Sequence, residues 1–252
     1  MDKPVAFSKK LPIELGKYFV DFFNSNESKF NSNWIEDSSS TLALYGLTEP
    51  TMMWERWDAG AHDFNYLIKI EELLDYLEIE YTDFSSYIKR EYIPVGTHVD
   101  SELDTSKNIE PHYLFEGGGR PDDGPGYSVI LPINTYGLKH DTIAFKPTVT
   151  GNPELLEKLH DYFSNGKPAS DWKMHSNECN LDYDDYNHVH MNNIKEGKCI
   201  LDYLEVEKVL EWQEHTAIAF NKTNLHTSIN FRRHGITHKD FVLVHTSSYP
   251  YS

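Results

Sequence analysis

Two amphipathic patterns in the first third of the chain predict helices. Apolar residues recur at helical spacing over residues 11–24 and again over residues 66–78. The apolar face of the first run consists of Leu11, Leu15, Phe19 and Phe22, and that of the second of Leu67, Ile70, Leu74 and Leu77. Each predicted helix therefore has one side suited to packing against a core.

Short β segments follow the second helix. Apolar and polar residues alternate over 127–133, and β-branched and aromatic residues predict further strands at 84–93, 142–146, 216–221 and 240–246. Many short strands divided by turns are typical of a sandwich or a barrel.

A third helix interrupts these strands. Asn152 is a suitable N-cap, Pro153 fits the first turn, and Asn165-Gly166 ends the apolar periodicity. The chain then stays polar to about residue 195. We interpret 148–195 as an insertion between strands, which is either a lid or specificity element or a surface excursion without function.

Composition and length favour one domain. The 252 residues are 39% hydrophobic and 13% aromatic, and no linker rich in Pro, Gly and Ser separates two halves. We expect a single domain over 1–252, with an N-terminal helical or mixed support at about 1–84. The β core occupies about 85–147 and 199–247, on either side of the insertion.

The charge narrows the class of partner. Lys and Arg number 23 against 40 Asp and Glu, a net charge of −17, which argues against nucleic acid because a binder of phosphates needs basic patches. Two cysteines make no disulfide framework. The chain shows no secretory leader and no apolar run near the roughly 20 residues of a membrane span. We therefore expect a soluble, intracellular protein.

The candidate chemistry lies in His98-Val-Asp100 and a distant histidine, His226. Side chains two apart on a strand point to the same side, so His98 and Asp100 can bind one metal together. Two imidazoles and one carboxylate are the donors of the facial triad that holds Fe(II) and leaves coordination positions open.

The tripeptide alone is not informative. With 13 His and 40 acidic residues in 252 positions, about two His-x-Asp/Glu matches are expected by chance, and the chain has two. The second is His238-Lys-Asp240. The only histidine after it is His245, about 16 Å farther along the same predicted strand, which is too far to share a metal ion.

The sequence around these residues resembles the Fe(II)/2-oxoglutarate-dependent oxygenase superfamily. Tyr92-Ile-Pro-Val-Gly-Thr-His-Val-Asp100 is similar to the entry into that family's metal site, and Glu211-Trp-Gln-Glu-His-Thr-Ala-Ile-Ala-Phe-Asn221 with Leu225-His-Thr-Ser-Ile-Asn-Phe231 to its distal-histidine segment. Gly235-Ile-Thr-His-Lys-Asp-Phe-Val-Leu-Val244 resembles the last barrel strand. The likeness covers roughly 85–147 and 199–247. It is greatest to oxygenases of phage or viral type, and looser to prolyl hydroxylases.

This resemblance implies a fold and an activity. The fold is a mainly β, double-stranded β-helix of the jelly-roll, cupin-like kind, with helices outside one sheet. The activity is a dioxygenase that hydroxylates a substrate with Fe(II) and 2-oxoglutarate and releases succinate and CO₂. A protein of viral origin acts in the host cytoplasm.

The resemblance also implies roles for single residues. His98, Asp100 and His226 are the iron ligands, and Lys239 binds the distal carboxylate of 2-oxoglutarate. Arg233 is the alternative to Lys239, since many relatives use Arg there. Tyr92 is a further candidate for a hydrogen bond to 2-oxoglutarate.

One other class stays open. A cupin-like binding module with a non-catalytic or non-oxidative site is favoured by Lys, rather than Arg, at position 239. The substrate is a small molecule or a protein side chain, and the oligomeric state is left open by the sequence.

Overall fold

The computed structural model describes residues 6–35, 51–92, 126–134, 141–145, 206–222, 226–229 and 231–247. His98, Asp100, the helix expected from Asn152 onwards and the whole segment 148–195 lie outside these ranges. The predictions made for them therefore stay predictions.

Ten strands and two α-helices are found in the described residues. They are β1 (Ala6–Lys10), α1 (Ile13–Asn26), β2 (Asn31–Ile35), β3 (Thr51–Trp57), α2 (Phe64–Tyr76), β4 (Asp83–Glu91), β5 (Tyr127–Pro132), β6 (Asp141–Phe145), β7 (Val206–Glu211), β8 (Thr216–Asn221), β9 (His226–Ser228) and β10 (Lys239–Ser247). No helix in the described ranges has both the length and the apolar character needed to cross a membrane.

The strands form two antiparallel sheets. The larger has seven strands in the order β1-β8-β5-β10-β4-β3-β2, and the smaller has the order β7-β6-β9. From β5 onwards the chain moves to the small sheet for β6 and β7, back for β8, across for β9 and back for β10. The prediction of a mainly β protein with flanking helices is confirmed, and this architecture is consistent with a jelly roll.

The large sheet lies between two apolar layers. Because strand side chains alternate, each strand supplies residues to both layers. On one face, Ile88, Val129 and Val242 pack with α1 and α2, whose buried residues include Phe19 and Leu74. On the other face, a second cluster unites both sheets through Ile130, Ile218, Phe220, Phe241 and Leu243 of the large sheet and Ala144 and Leu210 of the small one. We call the space between the sheets the inner layer.

Both predicted N-terminal helices are present. Helix α2 begins after Asp63, whose Oδ1 accepts a hydrogen bond from the backbone N–H of Tyr66 at 2.9 Å. Helix α1 has no such cap, because Pro12 precedes it. Its stability comes from the buried aromatic face instead, on which Phe23 rather than Phe22 is fully buried.

The region before residue 84 also supplies strands that the pattern did not indicate. β1 pairs with β8, and β3 pairs with β4 and carries β2 on its other side. β1 is a five-residue edge strand that ends in two lysines, so it lacks the alternation by which longer strands are recognised.

The segment after His226 is a short strand followed by a turn. β9 ends at Ser228, and Phe231–His234 form a turn of 3-10 helix. Phe231 N–H donates to the carbonyl of Ile229, and Gly235 follows with φ +77°. Glycine adopts that conformation without steric cost, so the chain reverses here and enters β10.

Candidate functional site

His226 is the first residue of β9, in the small sheet. It is 4% exposed, and its backbone lies opposite Ala144 of β6. Its ring packs against that of Phe220, with the centroids 4.3 Å apart. Since Phe220 belongs to the apolar cluster between the sheets, the imidazole lies in the inner layer, where one of its two ring nitrogens can serve as a metal donor.

Lys239 is the first residue of β10, in the large sheet, directly opposite Glu91 of β4. Its Nζ lies 2.6 Å from Glu91 Oε2, and Lys89 Nζ lies 2.6 Å from Glu91 Oε1. Residues 89 and 91 share one face of β4, which is also the face of Phe241 on β10. The three charged groups form what we call the Lys-Glu-Lys cluster.

Three aromatic rings surround the Lys239 ammonium. Its Nζ lies 5.1 Å from the centroid of Trp212, 5.5 Å from that of Phe241 and 5.6 Å from that of Phe231. Trp212 follows β7 and donates from Nε1 to Thr142 Oγ1 of β6 at 2.9 Å. Its ring meets Phe241 edge-on at 5.7 Å. Lys239 is therefore held between the two sheets, in the same inner layer as His226.

The electrostatics of the cluster follow from burial and close charge. Burial alone raises the pKa of Glu91, but the ammonium groups of Lys239 and Lys89 outweigh it and lower that pKa to about 2. Burial also lowers the pKa of Lys239, while the charge of Glu91 opposes that shift. Glu91 is thus ionised at neutral pH and stabilises a charged lysine in a largely apolar place.

Tyr92 is not brought together with Lys239. It follows Glu91 directly, so alternation sends its side chain to the opposite face of the sheet. There its hydroxyl donates to Glu55 Oε2 at 2.6 Å. Burial, and then the neighbouring Glu55 carboxylate, raise the pKa of Tyr92 to about 12. The carbonyl of Tyr92 accepts a hydrogen bond from Arg232 Nη1 at 2.7 Å.

The second His-x-Asp match has a structural explanation. Asp240 is fully buried on the helix side of the sheet and receives Arg90 Nε at 2.7 Å and Nη2 at 2.9 Å, together with Asn134 Nδ2. His238 Nε2 lies 3.8 Å from Asp240 Oδ2. His245 lies on the opposite face, bonded to Ser128 Oγ at 3.0 Å. The Asp240 carboxylate pairs with Arg90. This structural role is what we expect of a His-x-Asp match that arises by chance.

Part of the predicted site lies outside the described residues. This applies to His98, Asp100 and the side chain of Arg233, although the backbone of Arg233 belongs to the 3-10 turn. Within the described ranges, no three His, Cys, Asp or Glu side chains are grouped closely enough to hold a metal ion. The structure brings His226 and Lys239 into one layer.

Sequence reasoning overlooked Lys89 and Glu91. Both belong to the predicted strand at 84–93, in the stretch Lys89-Arg-Glu91, which looks like an ordinary solvated run of charges. The signal available was a lysine and a glutamate two residues apart on a strand, hence on one face. Their partner at position 239 could be identified only from the pairing of β4 with β10.

A separate cavity of about 550 Å³ lies beside the first half of β4. Its polar lining includes Arg56, Ser85, Tyr87 and His245. The buried Ser85 Oγ has no hydrogen-bond partner among the described residues, and water fills polar spaces of this kind. The cavity borders on the Lys-Glu-Lys cluster, because its lining residue Arg56 lies opposite Lys89 in the pairing of β3 with β4, but none of the three cluster residues lines it.

Comparisons with known proteins show a likeness in structure but no family. No protein-family model matches the chain, and no curated protein matches it. A prolyl-4-hydroxylase from Pseudomonas putida is similar in structure, with a TM-score of 0.38 and 9% identity over 98% of this chain and 94% of that chain. At so low a TM-score, this likeness supports no conclusion about function.

Proposed function

We propose that the protein is an Fe(II)- and 2-oxoglutarate-dependent oxygenase with a double-stranded β-helix core, which hydroxylates a small molecule or a protein side chain. The observation that carries the proposal is the placement of His226 and Lys239. They begin two consecutive strands in opposite sheets, and both side chains lie in the inner layer. A nitrogen donor and a cation in one layer of the fold are two of the groups that bind a metal and an anionic co-substrate.

The donor set fits iron by its chemistry. His226 supplies a buried imidazole, and the proposal adds His98 and Asp100 to complete a two-histidine, one-carboxylate triad with open positions. When bound, the iron and 2-oxoglutarate supply the oxidising chemistry of the reaction. The protein supplies the ligands, their orientation and a dry environment.

Lys239 is the proposed anchor for the distal carboxylate of 2-oxoglutarate. Its ammonium lies 5.1 Å from the ring of Trp212 and 5.6 Å from that of Phe231, and these rings exclude water and so strengthen its attraction for a carboxylate. Arg233 is the alternative anchor. Tyr92, whose hydroxyl is bonded to Glu55 on the other face, is assigned a role in supporting β4.

An anaerobic spectroscopic titration tests the proposal. We expect purified protein to show a visible charge-transfer band when Fe(II) and 2-oxoglutarate are both added. His226→Ala should abolish the band and any formation of succinate, because it removes a metal donor. His238→Ala is the matched control and should keep both. A folded wild-type protein that shows no band would end the oxygenase proposal.

Lys239→Ala separates the anchor from the metal ligands. It should weaken 2-oxoglutarate binding by about tenfold or more while iron binding stays close to that of the wild type. If Arg233→Ala shows that loss and Lys239→Ala does not, the anchor is Arg233.

A non-oxidative, cupin-like binding module is the second candidate, favoured by the ion pair that Lys239 already makes with Glu91. Such a protein takes up metal without developing the band or producing succinate. The same titration therefore decides between the two.

A further inference from the structure

We propose that Lys89, Glu91 and Lys239 together form a carboxylate-accepting site, in which Glu91 bridges the two lysines and limits the site to one ligand carboxylate. The inference deepens the proposed function, because that carboxylate is the distal one of 2-oxoglutarate. It assigns binding roles to Lys89 and Glu91 that the sequence did not indicate.

The Lys-Glu-Lys cluster has a net positive charge. Two ammonium groups face one carboxylate, which leaves one surplus positive charge. The side chains of Glu91 and Lys239 are 4% and 7% exposed, and that of Lys89 is 16% exposed. Among the described residues, Glu91 is the one carboxylate within ion-pair distance of either lysine. One ligand carboxylate makes the cluster neutral.

Each carboxylate oxygen of Glu91 contacts one ammonium group. Lys89 donates a hydrogen bond to Glu91 Oε1. The Lys239 ammonium lies 2.6 Å from Oε2. An ammonium has three donors. Lys239 directs one of them at Glu91, which neutralises part of its charge, and has others for a ligand oxygen.

The aromatic rings around the Lys239 ammonium strengthen its attraction for an anion. Trp212, Phe231 and Phe241 stabilise a cation through their faces but offer no full negative charge. A surplus charge in such a setting attracts an anion more strongly than one in water does. Because Glu91 already compensates one of the two lysines, a second ligand carboxylate would meet no net attraction.

Carboxylate binding to metal-free protein tests the inference. The probes are 2-oxoglutarate and glutarate, titrated calorimetrically at low chloride into the full chain, freed beforehand of metal and of chelator. We expect one carboxylate ligand per chain. Lys239→Met should abolish measurable binding, and Lys89→Met should weaken it by about tenfold. Lys69→Met, which removes an exposed lysine paired with Glu72, should leave the affinity unchanged.

Substitution of Glu91 tests whether its charge lowers the affinity of the site for a carboxylate. Glu91→Gln leaves two uncompensated lysines, so its affinity for glutarate should rise by about tenfold or more, with a larger rise in Tm on adding the ligand. If that variant does not fold, Lys89→Met/Glu91→Gln restores a single surplus charge and should bind glutarate within about threefold of the wild type. A Glu91→Gln protein that binds glutarate no better than the wild type overturns the inference. So does a double variant that folds without binding.

The calorimetric titration and the anaerobic titration with Fe(II) test the two proposals independently. Carboxylate binding that survives without metal, in a protein that shows no charge-transfer band, leaves the Lys-Glu-Lys site standing and removes the oxygenase. If the band appears but none of these substitutions changes carboxylate binding to the metal-free protein, the site is ruled out and the oxygenase proposal stands.

Discussion

Two buried carboxylates, Asp240 and Glu91, lie on opposite faces of the large sheet and have different partners. Asp240 faces Arg90 on the helix side, and Glu91 faces Lys239 on the inner side, although both pairs join β4 to β10. Asp240 is held by two aligned guanidinium bonds and Asn134, an arrangement that leaves it few free lone pairs. Glu91 lies between two lysines, which leaves a surplus positive charge, so we propose a structural role for the first pair and a ligand-binding role for the second.

Replacing Arg90 should show how much the closed pair contributes. Arg90→Ala leaves a buried, uncompensated Asp240 and should lower the free energy of unfolding by about 3–5 kcal/mol, measured by urea denaturation. Lys69→Ala, which breaks an exposed pair with Glu72, should cost less than about 1 kcal/mol. Equal effects of the two substitutions would show that burial of Asp240 does not matter.

At the scale of elements, the junction of β5 with β10 depends on a close approach of backbones. A Cβ added at Gly126 would lie 2.1 Å from the carbonyl oxygen of Thr246. The next residue, Tyr127, donates its N–H to Thr246 Oγ1 at 2.8 Å. Only glycine allows this contact, because the obstructing atom is backbone and cannot rotate away.

Gly126→Ala should therefore destabilise the protein by about 1–3 kcal/mol through displacement of β5 from β10. Thermal or urea unfolding measures the loss. The control is Gly235→Asn, since Gly235 has φ +77° and nothing lies within 4 Å of an added Cβ; asparagine tolerates that conformation, so the cost should stay below about 1 kcal/mol. An unchanged unfolding curve for Gly126→Ala would refute the close approach.

The elements also show what periodicity can and cannot predict. The helices at 13–26 and 64–76 and the strands at 83–91, 127–132 and 239–247 lie within a few residues of the predicted bounds. Their apolar faces are long enough to define a period. β1 and β9 have five and three residues, too few for any period, and they exist because neighbouring strands pair with them.

At the scale of the whole molecule, β1 closes one edge of the large sheet. It pairs along its full length with β8, whose residues Ala217, Ile218, Ala219 and Phe220 are fully buried. Without β1 these backbone groups would form an open, apolar edge, which is the usual starting point for association between chains.

Removal of residues 1–10 should therefore increase aggregation markedly at equal protein concentration. Size-exclusion chromatography with light scattering measures the aggregated fraction. Lys9→Ala is the matched control, because it removes the side-chain contacts to the Tyr76 carbonyl and Glu78 but keeps the strand. A truncated chain that elutes like the full chain would show that β1 does not protect this edge.

Local patterns in the sequence were enough to predict the mainly β class and the two helices. His226 and Lys239 were identified as candidates through the resemblance to an oxygenase family. The three-dimensional fold was needed to show that Lys239 faces Glu91 and Lys89, that Tyr92 points to the other face, and that Asp240 pairs with Arg90. The physical reason is strand register: a shift of one residue exchanges the two faces of a strand, and register is set by pairing between segments about 150 residues apart.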